Sequence, residues 1–423
     1  MGITVYNLFL LLYRLGMRVI APWNPKAKQW LAGRKDFYEK LRFSIGKSGN
    51  PVIWMHCASL GEFEQGRPLL EAVRTNYPGY RILLTFFSPS GYEVKKNYEG
   101  ADYIFYLPMD SRNNAEKMIE LVNPALVLWV KYEYWYYYLT AIRERNIPLL
   151  LISGIFRADQ PFFKSYGSLH RKMLACFTHL FVQTNESKRL LSSIGIMEQA
   201  SVSGDTRFDR VVQIADSFSS LPLIEEFCSS HPVIVAGSTW PDDEEELDHY
   251  ANTHPHIRFI IAPHEIYEEH LKEIEKLFHA SVRYSQFSNK NHSQTNNQPE
   301  PNVLIIDNIG MLSRLYKYAT ITYIGGGFGD DGVHNVLEAA VYAKPVVFGP
   351  EYEKYIEAIE LVDNGGAFPI EHALELEAMV NKLLQERDDY EKACKAAGDY
   401  VHDKKGATKK IMSYIQAKRL LTS

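Results

Sequence analysis

What most constrains this chain is a rhythm of short apolar runs, each followed by a helix-like segment, laid down once and then started again. Val52–His56, Arg81–Phe86, Tyr103–Leu107, Ala125–Val130, Leu149–Ser153 and Leu180–Gln183 read as the strands of a first α/β unit. Val233–Ala236, Arg258–Ala262, Val303–Asp307, Ile321–Ile324 and Pro345–Phe348 supply a second set. Runs this apolar belong to parallel sheets covered by helices on both faces. At 423 residues the chain exceeds the length at which one core stops growing, so two doubly wound domains are expected. Ligands of such sheets bind at the carboxyl ends of the strands, and two domains facing a cleft would place the site there. The expected boundaries are 1–25 for an apolar basic segment, 26–212 for the first domain and 213–423 for the second, whose terminal helices could cross back. Gly204–Ser220 is expected as a hinge. The polar, Asn/Gln-rich stretch Ser285–Asn302 is expected as an exposed loop.

Charge is uneven along the chain. Residues 1–50 carry nine Lys/Arg against two Asp/Glu, a net of +7 in a protein whose formal net charge is −5. This basic end coincides with the apolar stretch Ile3–Trp23, whose uninterrupted part is near half of the roughly 20 residues that span a bilayer. Arg14 and Arg18 break up the remainder, and the charge order and cleavage site of a secretory signal are missing. An interfacial membrane anchor is the preferred reading, with a helix packed on the domain or a single span as alternatives. Arg14, Arg18, Lys26, Lys28, Arg34, Lys35, Lys40 and Arg42 would meet anionic headgroups while Leu8, Leu11, Leu12 and Leu15 enter the acyl boundary. The overall negative charge speaks against nucleic acid as a partner. Four scattered cysteines without C-x-x-C spacing speak against a disulfide framework or structural zinc.

In the second unit, the strand Ile321–Ile324 runs into Gly325, Gly326 and Gly327, and a turn with Gly332 is expected to open a helix near Asn335. Glycines let backbone approach a phosphate, and a helix start offers N–H donors and a positive dipole end, so an anion is expected here. Glu338, one turn on, could accept both hydroxyls of a ribose or be a solvated helix residue. Ser238 and Thr239 directly follow a strand, where they could hold a phosphate or a base, or cap the next helix. Asp242 to Glu246 follow Pro241 and read as acids at a helix start rather than as metal ligands.

In the first unit, His56-Cys57-Ala58-Ser59-Leu60-Gly61-Glu62 closes a strand and puts Glu62 at a helix start. Glu62 is either a cap or a general base for a hydroxyl, the second requiring surroundings that raise its pKa towards neutrality. Tyr132-Glu133-Tyr134-Trp135 ends another strand with a carboxylate among aromatic rings, an arrangement suited to stacking on a sugar or to core packing.

Taken in order, several elements resemble one family. They are C-A-S-L-G-E at Cys57–Glu62, T-x-x-S-x-x-G at Thr85–Gly91, Y-L-P-x-D at Tyr106–Asp110, G-S-T at Gly237–Thr239, D-x-x-G-x-L at Asp307–Leu312, and the Gly-rich run with His334, Asn335, Leu337, Glu338 and Gly349-Pro350. The family is that of the 3-deoxy-D-manno-octulosonic acid (Kdo) transferases of lipopolysaccharide assembly, and the resemblance runs from Gly33-Arg34-Lys35 to about Gly366. It implies a GT-B type α/β fold of two Rossmann-like doubly wound domains, a CMP-Kdo donor and a lipid A precursor as acceptor. It also implies action at the cytoplasmic face of the inner membrane, and since no aspartate pair suited to a metal–nucleotide bridge stands out after a strand, no cofactor or metal is expected. By this resemblance Glu62 is the general base, and Ser238, Thr239, Gly310, Gly326, Gly327, Asn335 and Glu338 contact the nucleotide, with Gly325 in the same loop. Ser59 and Glu133 are expected on the acceptor side, where Arg157 and Arg207 could meet phosphates or remain solvated charges. The chain departs from the family pattern at Lys131, where an acid is usual, at Ala262-Pro263-His264-Glu265, which lacks an Arg before the His, and at Lys354, where Asn is common. Two other readings are a UDP-sugar-dependent GT-B transferase or epimerase, and a non-catalytic membrane-associated nucleotide-sugar-binding protein.

Overall fold

Each of the apolar runs forms a strand, and each set assembles into a seven-stranded sheet in which the paired strands are parallel. The first sheet contains β1 (Val52–Cys57), β2 (Arg81–Phe86), β3 (Tyr103–Tyr106), β4 (Pro124–Val130), β5 (Leu149–Gly154), β6 (His179–Val182) and β7 (Ala200–Val202), in the order β3-β2-β1-β4-β5-β6-β7. The second contains β8 (Val233–Thr239), β9 (Arg258–Pro263), β10 (Ser281–Arg283), β11 (Val303–Ile305), β12 (Ile321–Ile324), β13 (Val346–Phe348) and β14 (Ala367–Pro369), in the order β10-β11-β9-β8-β12-β13-β14. The three strands not expected, β7, β10 and β14, are three residues each and carry no apolar run. This computed structural model describes residues 2–46, 49–289 and 300–422.

The chain divides into two units, Met1–Arg210 with Lys405–Ser423, and Val211–Lys404. In the first, helices α1 (Gly2–Ile20), α2 (Pro25–Ala32) and α3 (Phe37–Ile45) precede the sheet, and α4 (Leu60–Asn76) follows β1. The terminal helix Ala407–Ala417 belongs to this unit, where Ile411, Met412 and Ile415 pack with Phe63, Leu69 and Leu70 of α4. Asp209 fixes its start by accepting from the Gly406 and Thr408 N–H groups. The same core takes in Leu150, Ile152 and Phe181 of the sheet, and Tyr414 of the terminal helix meets the ring of Phe181, so burial of these side chains joins both helices to the strands.

Several local expectations are corrected. The segment Gly204–Ser220, expected as a hinge, holds the division between the two units at Arg210/Val211, and it is helical over Thr206–Asp216 rather than irregular. Tyr284–Asn289 is helical rather than part of a loop, and residues 290–299 lie outside the described residues. Arg34 is not a headgroup-facing cation. Its guanidinium donates to the carbonyls of Leu107 (2.8 Å), Trp30 (2.9 Å) and Phe87 (2.8 Å) and lies 3.8 Å from the centre of the Trp30 ring. Burial lowers its pKa to about 9, and its role is to fasten α2 to the loops after β2 and β3.

Candidate active site

The strand order reverses between β1 and β4 in the first sheet and between β8 and β12 in the second, where β11 also inserts between β9 and β10. Loops leaving adjacent strands at such a point diverge and open a crevice at the carboxyl edge. Glu62 and Glu133 follow β1 and β4, while Ser238–Thr239 and Gly325–Gly327 stand at the ends of β8 and β12. The candidate residues therefore fall at the two reversal points, each within its own unit.

Glu62 sits in the first turn of α4 and is buried. Its carboxylate accepts from the Ala58 N–H and from the Tyr132 backbone. Burial, followed by the nearby Glu133 charge, raises its pKa to about 7, against the pull of those backbone donors and of Lys131. A carboxylate so placed exchanges a proton near neutral pH, which a simple cap does not require. Ser59 is the N-cap residue of α4, and its hydroxyl makes no capping bond.

Glu133 is held by side chains. Its Oε2 accepts from Trp135 Nε1 (2.8 Å) and lies 3.3 Å from His56 Nε2. Behind it runs a buried polar line: Trp54 Nε1 donates to Thr85 Oγ1 (2.8 Å), and Thr85 Oγ1 is 2.9 Å from His56 Nδ1. The Thr85 hydroxyl has two acceptors in reach, His56 Nδ1 and the Met55 carbonyl (3.5 Å), and donation to Nδ1 would leave the Nε2–H facing Glu133. Asp110 also belongs here. It is buried, accepts from Tyr6 Oη (2.6 Å) and from the N–H groups of Tyr137 (3.0 Å) and Tyr138 (3.1 Å), and thus caps the helix Tyr136–Glu144 that follows the Glu133 loop. Burial raises its pKa to about 6. Sequence reasoning assigned no role to His56, Thr85 or Asp110, although two of them occupy motif positions quoted above. Arg157 is exposed, whereas Arg207 pairs with buried Asp205 at 2.8 Å. Both arginines act electrostatically on the Tyr132 hydroxyl, which also feels Glu62, and Ser59 stands at the start of the helix whose first turn holds Glu62.

The second unit differs from expectation. The Gly325 N–H donates to the Gly237 carbonyl (2.9 Å) and the Gly326 N–H to Asp243 Oδ2 (2.8 Å), so neither is available to a phosphate. Gly326 has φ +90°, and a Cβ on Gly327 would lie 2.6 Å from the Gly349 nitrogen. These glycines serve backbone-to-backbone packing. The expected helix near Asn335 is a single turn, Leu337–Ala340, too short to present a developed dipole. Asn335 Nδ2 donates to Glu338 Oε1 (3.0 Å), which joins those two residues. The Thr239 hydroxyl donates to Glu244 (2.8 Å), whose other oxygen is 2.9 Å from His270 Nε2. Asp243 also accepts from the Trp240 N–H (2.9 Å) and Tyr323 Oη (2.8 Å), so it and Glu244 hold the loops as well as the helix start. Gly327 N–H and the Ser238 hydroxyl, by contrast, have no partner among the described residues, and Ser238 takes φ +55° at the end of β8. Gly310 is exposed with φ +96° and open space where a Cβ would point. His264 and His334 stack at 4.5 Å, Trp240 Nε1 is 3.0 Å from His334 Nε2, and burial lowers the His334 pKa to about 4. Lys354 donates to the Asp330 carbonyl.

Two parallel doubly wound sheets with reversal-point loops define a GT-B type protein, the fold also of nucleotide-sugar enzymes. A Neisseria meningitidis UDP-GlcNAc 2-epimerase bound to UDP-GlcNAc covers 86% of this chain and 100% of its own at TM-score 0.61 and 17% identity. An S. aureus MnaA–UDP structure covers 88% and 97% at TM-score 0.58 and 15% identity. Residues 33–210 match the family model of 3-deoxy-D-manno-octulosonic-acid transferase (kdotransferase). A Haemophilus influenzae 3-deoxy-D-manno-octulosonic acid transferase is 24% identical over 93% of this chain and 92% of its own length. That of Aquifex aeolicus is 27% identical over 80% and 87%. A bifunctional glycosyltransferase/methyltransferase of Fusobacterium nucleatum is 26% identical over 80% of this chain, which spans 53% of that protein. The chain is similar to the Kdo transferases of the glycosyltransferases, by the family model over residues 33–210 and at 24–27% identity over most of its length.

Proposed function

We propose that this protein transfers Kdo from CMP-Kdo to a hydroxyl of a lipid A precursor with inversion, at the cytoplasmic face of the inner membrane. The observation that carries the reading is Glu62, a buried carboxylate at a sheet reversal point whose pKa of about 7 suits a general base. In this mechanism Glu62 takes the proton of the acceptor hydroxyl while that oxygen bonds to the anomeric carbon of Kdo and the bond to CMP breaks on the opposite face. Glu133, Ser59, Arg157 and Arg207 contact the acceptor. Ser238, Thr239, Gly310, Gly325, Gly326, Gly327, Asn335 and Glu338 form the donor side, where the Gly327 N–H and Ser238 hydroxyl are the donors left for the leaving phosphate. The Asn335–Glu338 pair is placed to bind ribose hydroxyls.

For membrane attachment, α1 divides into faces. Tyr6, Leu10, Tyr13 and Met17 pack on the first unit, while Val5, Leu8, Leu12, Leu15 and Val19 are exposed. A helix docked along its length and apolar on the outside suits a position in the membrane plane. Incubation with CMP-Kdo and a tetraacylated lipid A precursor tests the activity. A product heavier by one or more Kdo residues is expected, and an unchanged acceptor mass overturns the reading.

A further inference from the structure

Between α1 and the α2–α3 segment lies a cavity of ≈ 910 Å³, bordered by Arg14, Arg18, Lys35 and Trp30. At about 100° per residue, Arg14 and Arg18 fall on one flank of α1, between its packed face and its exposed apolar face. The apolar neighbours on that side are Leu11 and Leu15, both exposed. Arg14, Arg18 and Lys35 are exposed and have no carboxylate partner among the described residues, although Asp36 and Glu39 also border the cavity. The indole N–H of Trp30 is buried with no acceptor. We propose that this cavity is a discrete binding site for the headgroup of an anionic glycerophospholipid. The phosphate sits against Arg14, Arg18 and Lys35, and the acyl chains run along Leu11 and Leu15 into the bilayer. Charge complementarity selects the anion, and continuity with the apolar stripe selects one that carries chains. The inference rests on the in-plane placement of α1 and is separate from the Kdo-transfer chemistry.

The test compares two charge-matched triple variants of the full chain, Arg14→Gln/Arg18→Gln/Lys35→Gln around the cavity and Lys26→Gln/Lys28→Gln/Lys40→Gln outside its lining. Dihexanoyl phosphatidylglycerol, kept below its micellar concentration, is titrated by calorimetry. One saturable site is expected, weakened at least tenfold in the cavity variant, less than threefold in the other, and at least tenfold weaker for dihexanoyl phosphatidylcholine. Equal losses in the two variants, or no saturable site, overturn the proposal. Flotation on vesicles of phosphatidylglycerol and phosphatidylcholine separates the premise: saturable lipid binding without flotation would reject the in-plane anchor while leaving the headgroup site.

Discussion

Glu62 and Asp243 are both buried acids placed a few residues after a strand at a sheet reversal point, yet they are in opposite circumstances. Asp243 accepts from the Gly326 N–H, the Trp240 N–H and the Tyr323 hydroxyl. Glu62 accepts from backbone donors at Ala58 and Tyr132 and lies near a second carboxylate, Glu133. Burial raises the pKa of each, that of Glu62 to about 7. A buried acid whose oxygens are shared among fixed donors is structural, whereas one left with incomplete compensation is poised for proton transfer.

The largest effect should come from removing the charge on the acid read as catalytic. Glu62→Gln keeps an acceptor for the Ala58 N–H but cannot take a proton, so turnover should fall about 10²–10⁴-fold. In the wild type, activity should rise with pH through about 7, because the base works only when ionised. CMP affinity, measured by calorimetry, should be unchanged in the variant. A near-normal rate would erase the distinction from Asp243 and make Glu133 the next candidate.

Asp243→Asn tests the other side. An amide offers one acceptor oxygen where three donors now converge, leaving buried groups unpaired, so the second unit should lose about 2–4 kcal/mol by denaturant unfolding. CMP affinity should fall as well, because Gly326 loses the contact that fixes its loop. Stability close to wild type would show that Asp243 is not the pin of this turn.

Gly327→Ala should cost about 1–3 kcal/mol, since its Cβ would meet the Gly349 backbone at 2.6 Å. Melting temperature reports it. A neutral substitution that abolished CMP binding would restore the simpler idea that the glycine only makes room for phosphate.

Much of this contrast was legible in the residues, and the rest failed for identifiable reasons. Continuous Val/Ile/Leu runs announce buried parallel strands, and a carboxylate just after one announces Glu62. Glu62 alone does not reveal its pKa, which depends first on burial and then on Glu133, 71 positions away. The roles of Thr85 and Asp110 likewise depend on partners distant in sequence, Trp54 and Tyr6. Arg34 looked like its basic neighbours because charge patterning carries no information about the three carbonyls that enclose it. The Gly-rich run correctly marked a special turn, but glycine serves close packing of backbones as readily as ligand approach. A three-residue strand such as Ser281–Arg283 has too little period to be seen.

The smallest effect is also the sharpest test of the comparison, because it concerns stability rather than turnover. A carboxyl whose folded pKa of about 7 exceeds its ordinary 4.5 binds more protons folded than unfolded between those values. Stability therefore falls as pH rises through that window, and the ionised form is disfavoured above it. Glu62→Gln removes this penalty, so the variant should be more stable than wild type by about 1–3 kcal/mol at pH 8. The gain should shrink steadily as pH falls from 7 and be nearly gone at pH 4.5, where the wild-type carboxyl is protonated in the folded state. Asp243→Asn should be destabilising across the same range. Denaturant unfolding of both variants at pH 5, 6.5 and 8 measures the difference, and a Glu62→Gln protein less stable than wild type at pH 8 would make Glu62 a structural cap, like Asp243.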